Sequence, residues 1–352
     1  MKLLHVVGAR PNFPKVAPVF RAGVAAGLEQ AVVHTGQHYD DALSASFFRD
    51  LGLREPEINL EVGSLSHAVQ TARIMERFEP VLIQQAPDWV VVYGDVNSTA
   101  AAALVAAKLS VRIAHVEAGL RSHDRSMPEE INRLVTDRLA NLLLAPSRDA
   151  IDNLKAEGEP DDEIAFVGNV MIDTLCHSLE EARRTGFRDS LGVGRDAVVV
   201  TLHRPSNVDE PNRLAAVAAA LREIATERPV IFAVHPRTTQ RLKSAGISLG
   251  DVRVLPPIRY VEMLDLVDGA FAVVTDSGGL QEETTALGIP CFTVRENTER
   301  PVTITEGTNR LVPNPEDLPG AVRGAERPAN PKRPEGWDGR AGERVISALR
   351  DR

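Results

Sequence analysis

The chain holds only two cysteines, Cys176 and Cys291, in 352 residues. That excludes a disulfide scaffold and a four-cysteine zinc site. It also lacks an excess of positive charge: Lys and Arg number 40 against 49 Asp and Glu, a formal net charge of −9. Affinity for phosphate backbones comes from clustered Lys and Arg, so the balance argues against nucleic acid as a partner. Long apolar runs are missing too. The longest, residues 100–107, is far too short to span a bilayer, which argues against a membrane role. The first residues, MKLLHVVGARPNFPK, show no long apolar stretch followed by a small-residue cleavage site, and point to the cytoplasm. No Gly/Ser linker, low-complexity tract or short repeat stands out. What remains is ordinary for a globular protein: 43% hydrophobic and 25% charged residues. The length suggests two domains, at roughly 100–200 residues each.

Short β-rich apolar runs alternate with helical patterns from end to end. Residues 3–7, 31–34, 89–93, 113–116, 142–145 and 164–167 read as strands in the first half, with helices over 98–109 and 129–141. The rhythm repeats with strands over 197–201, 230–234, 252–255, 271–275 and 291–294, and helices over 213–226 and 279–287. Crossovers of this length imply parallel sheets with helices on both faces, an α/β fold. Ligands of such sheets bind beyond the carboxyl ends of the strands, so two facing sheets would share one cleft. We expect one domain over 1–168 and a second over 169–340, with a last helix, 341–352, packing back on the first.

The strand ends carry the chemistry. Asp276-Ser277-Gly278-Gly279 leads into Glu282-Glu283 after an apolar strand and opens a helix. Glycines let a phosphate approach the backbone, and helix N-terminal amides attract anions. Glu283 lies one turn on, within reach of ribose hydroxyls. Residues 8–15, GARPNFPK, bring Arg10 and Lys15 to a second glycine-containing turn; Arg offers a planar fork for phosphate oxygens and Lys a mobile point charge. Asp95 and Glu117 end strands, and Glu129 opens a helix. Carboxylates at such places, partly buried, serve as acids or bases near neutrality. Pro128 and Glu129 also meet the ordinary demands of a first helical turn, and Asp95 could serve only as a helix cap. His203 and His235 also sit at strand ends. No histidine pair has HExxH or a comparable spacing, so no metal is expected.

Ten segments in order resemble the non-hydrolysing UDP-N-acetylglucosamine (UDP-GlcNAc) 2-epimerases: GARPNFPK, TGQHYD, VVYGDVNST, HVEAGLRS, MPEEINR, TLHRPSN, HPR, TDSGGLQEE, NTERP and WDGRAGERV. The resemblance implies two Rossmann-like domains facing a central nucleotide cleft, as in GT-B glycosyltransferases, and a homodimer. It implies interconversion of UDP-GlcNAc and UDP-ManNAc without metal or other cofactor: the C2 proton is removed, UDP leaves to give a bound 2-acetamidoglucal, and UDP adds back. Asp95, Glu117 and Glu129 match the family's catalytic carboxylates, with the base among them unassigned. Arg10, His203, Ser277, Gly278 and Gly279 match groups that meet the departing diphosphate. Lys15, His235 and Arg300 match further substrate positions, Glu283 the ribose-binding acid, and Met263 the position that holds uracil through its backbone.

The chain also departs from that pattern. Val96 replaces a usual Thr after Asp95, and Val302 a usual Glu after Pro301. Gln37-His38-Tyr39-Asp40 differs from the loop of members activated by a second UDP-GlcNAc. GARPNF and TGQHYD are also similar to relatives acting on 2,3-diacetamido-glucuronate sugars, whereas the intact Thr298-Glu299-Arg300-Pro301 favours UDP-GlcNAc. A GT-B glycosyltransferase is the alternative from a different reaction class.

Overall fold

A computed structural model describes residues 1–8, 12–36 and 51–352; Arg10 and the 37–40 loop lie outside them. The apolar runs form two separate sheets, parallel throughout. The first has order β3-β2-β1-β4-β5-β6-β7, built from β1 Lys2–Val7, β2 Glu29–His34, β3 Ile58–Asn59, β4 Trp89–Tyr93, β5 Arg112–Val116, β6 Leu142–Ala145 and β7 Ile164–Phe166. The second has order β10-β9-β8-β11-β12-β13, from β8 Val198–Thr201, β9 Val230–Ala233, β10 Arg253–Leu255, β11 Ala272–Thr275, β12 Cys291–Thr293 and β13 Asn309–Leu311. Strands covered on both faces must be apolar at successive positions. β4 is buried at every residue, and β8 at all but its last.

In each sheet the chain order reverses beside the first strand: β1 lies between β2 and β4, and β8 between β9 and β11. That reversal is where doubly wound sheets bind ligands. The carboxyl ends of β1 and β4 lead into Gly8 and Gly94-Asp95. Those of β8 and β11 lead into His203 and Asp276. The two-residue β3 and three-residue β13 complete their sheets but are too short to show a sequence period.

Packing around the first sheet depends on small side chains. The helix Asn97–Lys108 buries Ala100 through Ala103 and contacts both the helix His67–Gln85 and the helix Pro128–Leu139. Gly342 serves a similar purpose. A Cβ there would lie 2.6 Å from the Pro18 carbonyl oxygen, so only glycine lets the helix Ala341–Arg350 rest on the helix Phe13–Ala25. Among the described residues no helix is long and apolar enough to cross a membrane.

The chain divides into two compact units, Met1–His177 with Glu335–Arg352, and Ser178–Pro334. The division falls inside the helix Val170–Thr185 rather than at 168/169, and the return is at Glu335 rather than 341. The first turns of that helix are bound into unit 1. Thr174 Oγ1 donates to the Pro14 carbonyl at 2.6 Å, and Asp173 accepts from the amides of Ala341 and Gly342 at 3.0 and 2.7 Å. Before the last helix, Glu335 pairs with Arg148 at 2.6 Å and the Trp337 side chain is buried. These contacts act at both crossing points; no sequence punctuation marks the first, inside a helix, while prolines at 328, 331 and 334 precede the second.

Candidate active site

In unit 1, Asn12 latches the two strands at the reversal. Its Oδ1 accepts from the Gly8 amide at 3.1 Å, and its Nδ2 donates to the Tyr93 carbonyl at 3.0 Å. One turn on, the buried Lys15 ammonium is ion-paired with the buried Glu117 carboxylate. Both rest on Gly94, where a Cβ would lie 2.5 Å from Lys15 Nζ and 3.3 Å from Glu117 Oε2. Gly94 has φ +61°, and Glu117 itself has φ +77°. A non-glycine residue in this left-handed region is strained, and such strain concentrates at functional sites.

Asp95 is ion-paired with Arg133, whose Nε donates to Glu130 Oε2 at 3.0 Å. The Asp95 carbonyl accepts from Asn132 Nδ2 at 2.9 Å. Glu130 is a structural acid: burial pushes its carboxyl up, but the Ser122 amide, Arg133 and the His123 amide outweigh that and hold it below its usual range. Its neighbour Glu129 is only half-buried and makes no hydrogen bond or ion pair among the described residues. Lys15 and Glu117 thus touch each other, Asp95 follows the glycine beneath them, and Glu129 shares a helix with the arginine that holds Asp95.

Unit 2 arranges its groups around Asp276, which is 0% exposed. Its carboxylate accepts from the His203 amide at 3.1 Å, the Arg204 amide at 2.9 Å and Asn207 Nδ2 at 3.1 Å, and lies 3.0 Å from His203 Nδ1. Burial pushes the Asp276 carboxyl up; His203 and these amides outweigh it, and the group sits below its usual range. The half-exposed imidazole of His203 is therefore oriented by a fixed carboxylate at Nδ1.

Ser277 is the N-cap of the helix Gly278–Leu287, and its amide donates to Thr275 Oγ1 at 3.0 Å. A Cβ on Gly278 would lie 2.4 Å from an Arg300 guanidinium nitrogen. The glycine thus lets a buried guanidinium lie against the first turn of the helix, and Gly279 continues that turn. Arg300 is held by Glu282 at 2.8 Å and by Glu299. Burial pushes the Glu299 carboxyl up, but Arg300, Arg295 and Arg204 outweigh it and hold it well below its usual range. Glu283 is buried, and burial with the nearby Glu282 raises it to about 7 against a hydrogen bond from Tyr260 OH at 2.9 Å. Met263 lies on the helix that Tyr260 opens. His235 caps the helix Pro236–Ser244, accepting from the Arg237 amide at 3.3 Å. Among the described residues no cluster of three or more His, Cys, Asp or Glu side chains is arranged to hold a metal ion.

The family profile described as UDP-N-acetylglucosamine 2-epimerase matches residues 23–350. The chain belongs to that family. The UDP-N-acetylglucosamine 2-epimerase of Methanocaldococcus jannaschii is 41% identical over 362 aligned positions, covering 99% of both chains. The UDP-2,3-diacetamido-2,3-dideoxy-D-glucuronate 2-epimerase of Pseudomonas aeruginosa is 42% identical over 322 positions, 90% of each chain. The crystal structure of the M. jannaschii epimerase in complex with UDP-GlcNAc and UDP superposes with a TM-score of 0.92, at 40% identity and full coverage of both chains.

Sequence reasoning overlooked the supports of this candidate site: Asn12, Arg133, Asp276, Tyr260 and the Arg204–Arg295–Glu299 group. Asp276 stood inside the glycine motif and passed for punctuation. Arg133 had a local signal, since it lies one helical turn after Glu129 and Glu130.

Proposed function

We propose that the protein is a non-hydrolysing UDP-GlcNAc 2-epimerase that interconverts UDP-GlcNAc and UDP-ManNAc. A carboxylate takes the C2 proton, and the C2–H electron pair becomes the C1=C2 bond. The C1–O bond breaks, and UDP leaves with that electron pair. A second of the three acidic groups returns a proton to the other face of C2 as a UDP oxygen adds to C1, which completes the exchange without a redox partner. The observation that carries the reading is the pairing of Glu117 with Lys15 and of Asp95 with Arg133 at the ends of β5 and β4. Each cation fixes the acid it pairs with, and the base and the acid on the two faces of C2 come from Asp95, Glu117 and Glu129. A correctly placed general acid or base is worth about 10²–10⁴-fold in rate.

The departing diphosphate carries negative charge, and unit 2 offers His203, the amides of Ser277, Gly278 and Gly279, and Arg300 to meet it; Arg10 and Lys15 add cations. One preorganised donor of this kind is worth about 10²–10³-fold. Glu283 takes the ribose, Met263 the uracil through its backbone, and His235 lies at a neighbouring loop. The protein acts as a cytoplasmic homodimer in this reading, which light scattering tests. The decisive experiment is UDP-GlcNAc in D₂O with no acceptor sugar: deuterium enters C2 and UDP-ManNAc accumulates. A glycosyltransferase would leave C2 untouched, and a hydrolysing enzyme would release free ManNAc. The 42% identity to the diacetamido-glucuronate epimerase favours a second reading, with that sugar as substrate. The same NMR assay with both nucleotide sugars decides between them.

A further inference from the structure

Unit 1 also holds a buried histidine that the proposed chemistry does not use. His115, in β5, is 0% exposed. Its Nε2 lies 2.8 Å from the Gly94 carbonyl oxygen and its Nδ1 2.5 Å from Asp137 Oδ1. A carbonyl oxygen only accepts, so Nε2 carries a hydrogen. Asp137 accepts as well. Burial pushes its carboxyl up, but His115 and Arg121 outweigh that and hold it below its usual range. The ring thus ties the Gly94 carbonyl to the Asp137 carboxylate.

We propose that the His115–Asp137 pair positions the catalytic acids, by fixing the Gly94 peptide ahead of Asp95 and the Glu117–Gly119 turn in one frame. The Gly94 peptide is held on both sides: its amide donates to the Val116 carbonyl at 3.1 Å, and its carbonyl takes the His115 hydrogen bond. The other oxygen of Asp137 accepts from the Gly119 amide at 3.0 Å and faces Arg121 at 2.7 Å. Gly94, Glu117 and Gly119 all have positive φ, at +61°, +77° and +83°. Such a backbone persists only where its surroundings over-determine it, and this pair reaches two of the three. Apolar side chains of similar volume stabilise an interior as well as a buried ion pair does. What the pair adds is direction.

This inference rests on the epimerase reading, so wild-type C2 exchange is measured first; its absence sinks that reading before any variant is made. With exchange established, His115→Gln is expected to lower kcat about 100-fold, the scale of a misplacement of roughly 1 Å, while KM and the Kd for UDP stay within about twofold. The glutamine amide still donates to Gly94, but its carbonyl then faces the Asp137 carboxylate. Adding Asp137→Asn turns that repulsion into an amide–amide hydrogen bond, so the double variant regains about tenfold, a non-additivity expected of contacting residues. Loss of kcat in step with thermal stability, a loss confined to KM, or a double variant no better than the worse single overturns the proposal, as does a His115→Gln kcat within threefold of wild type. If His115→Gln does not fold, Asp137→Asn alone decides: kcat falls about tenfold or more at unchanged KM, or the proposal fails.

Discussion

The two units share a strand order and a reversal point, yet their charge layouts are inverted. In unit 1 the groups proposed to act are acids, and cations stand behind them: Lys15 behind Glu117, Arg133 behind Asp95. In unit 2 the groups proposed to act are cationic or donor groups, and acids stand behind them: Asp276 behind His203, Glu282 and Glu299 behind Arg300. A polar group held near a reacting atom must be both charged and immobile, and a buried opposite charge supplies both. The same α/β frame thus presents a proton-handling surface in one unit and an anion-binding surface in the other. What sets the difference is which member of each ion pair occupies the strand end.

Breaking unit 1 should have the largest effect. Asp95→Asn and Glu117→Gln are each expected to lower C2 exchange by about 10²–10⁴-fold, with UDP binding by calorimetry unchanged. A loss of UDP affinity equal to the loss of rate would dissolve the division of labour between the units. The corresponding break in unit 2 is Asp276→Asn. The amide oxygen can keep the three amide donors that point at Oδ2, which leaves the NH₂ in place of the carboxylate oxygen facing His203 Nδ1, so His203 loses its fixed orientation. Turnover is expected to fall about 100-fold, and UDP affinity falls with it, unlike in the unit 1 variants. Parallel kcat and Kd measurements on the three variants check this.

A smaller effect sharpens the comparison at one atom. Gly278→Ala puts a methyl group where the Arg300 guanidinium lies, and Arg300 cannot retreat without releasing Glu282 and Glu299. Overpacking of this kind costs about 1–3 kcal/mol. UDP affinity is expected to fall about tenfold, since each 1.4 kcal/mol is a factor of ten. Unchanged affinity would mean that Arg300 does not serve the nucleotide.

Both sheets were legible in the sequence because buried parallel strands are apolar without interruption, as residues 89–93 and 198–201 are. The strand-end residues were legible because an acid or a glycine after such a run stands out. Their supports were not. Asn12, Arg133 and Asp276 act through contacts across 81, 38 and 73 positions of sequence respectively, and nothing local marks a side chain that reaches so far. The place where the units part has no local mark either, since Asp173 and Thr174 look like ordinary helix residues until their partners at Ala341 and Pro14 are known. His235, which follows a strand, also caps the helix Pro236–Ser244, a role its sequence position alone does not separate from ligand contact.

The mildest prediction concerns pH. Burial, with Glu282 nearby, raises the Glu283 carboxyl to about 7, while Tyr260 pulls the other way. Below that pH the group is neutral; above it, a carboxylate able to accept from two ribose hydroxyls. UDP affinity is therefore expected to rise as pH goes from 6 to 8, and Glu283→Gln should flatten the profile. The stability of the free protein should move in the opposite direction. A carboxyl raised in the folded state contributes fully below its unfolded value of 4.5, and that contribution is lost as pH climbs through about 7. Calorimetric UDP titrations and thermal melts over one pH series read both. Opposed slopes mark Glu283 as an acid whose ionisation costs the fold and serves the ligand; slopes of the same sign would separate it from the nucleotide and leave unit 2 without its ribose contact.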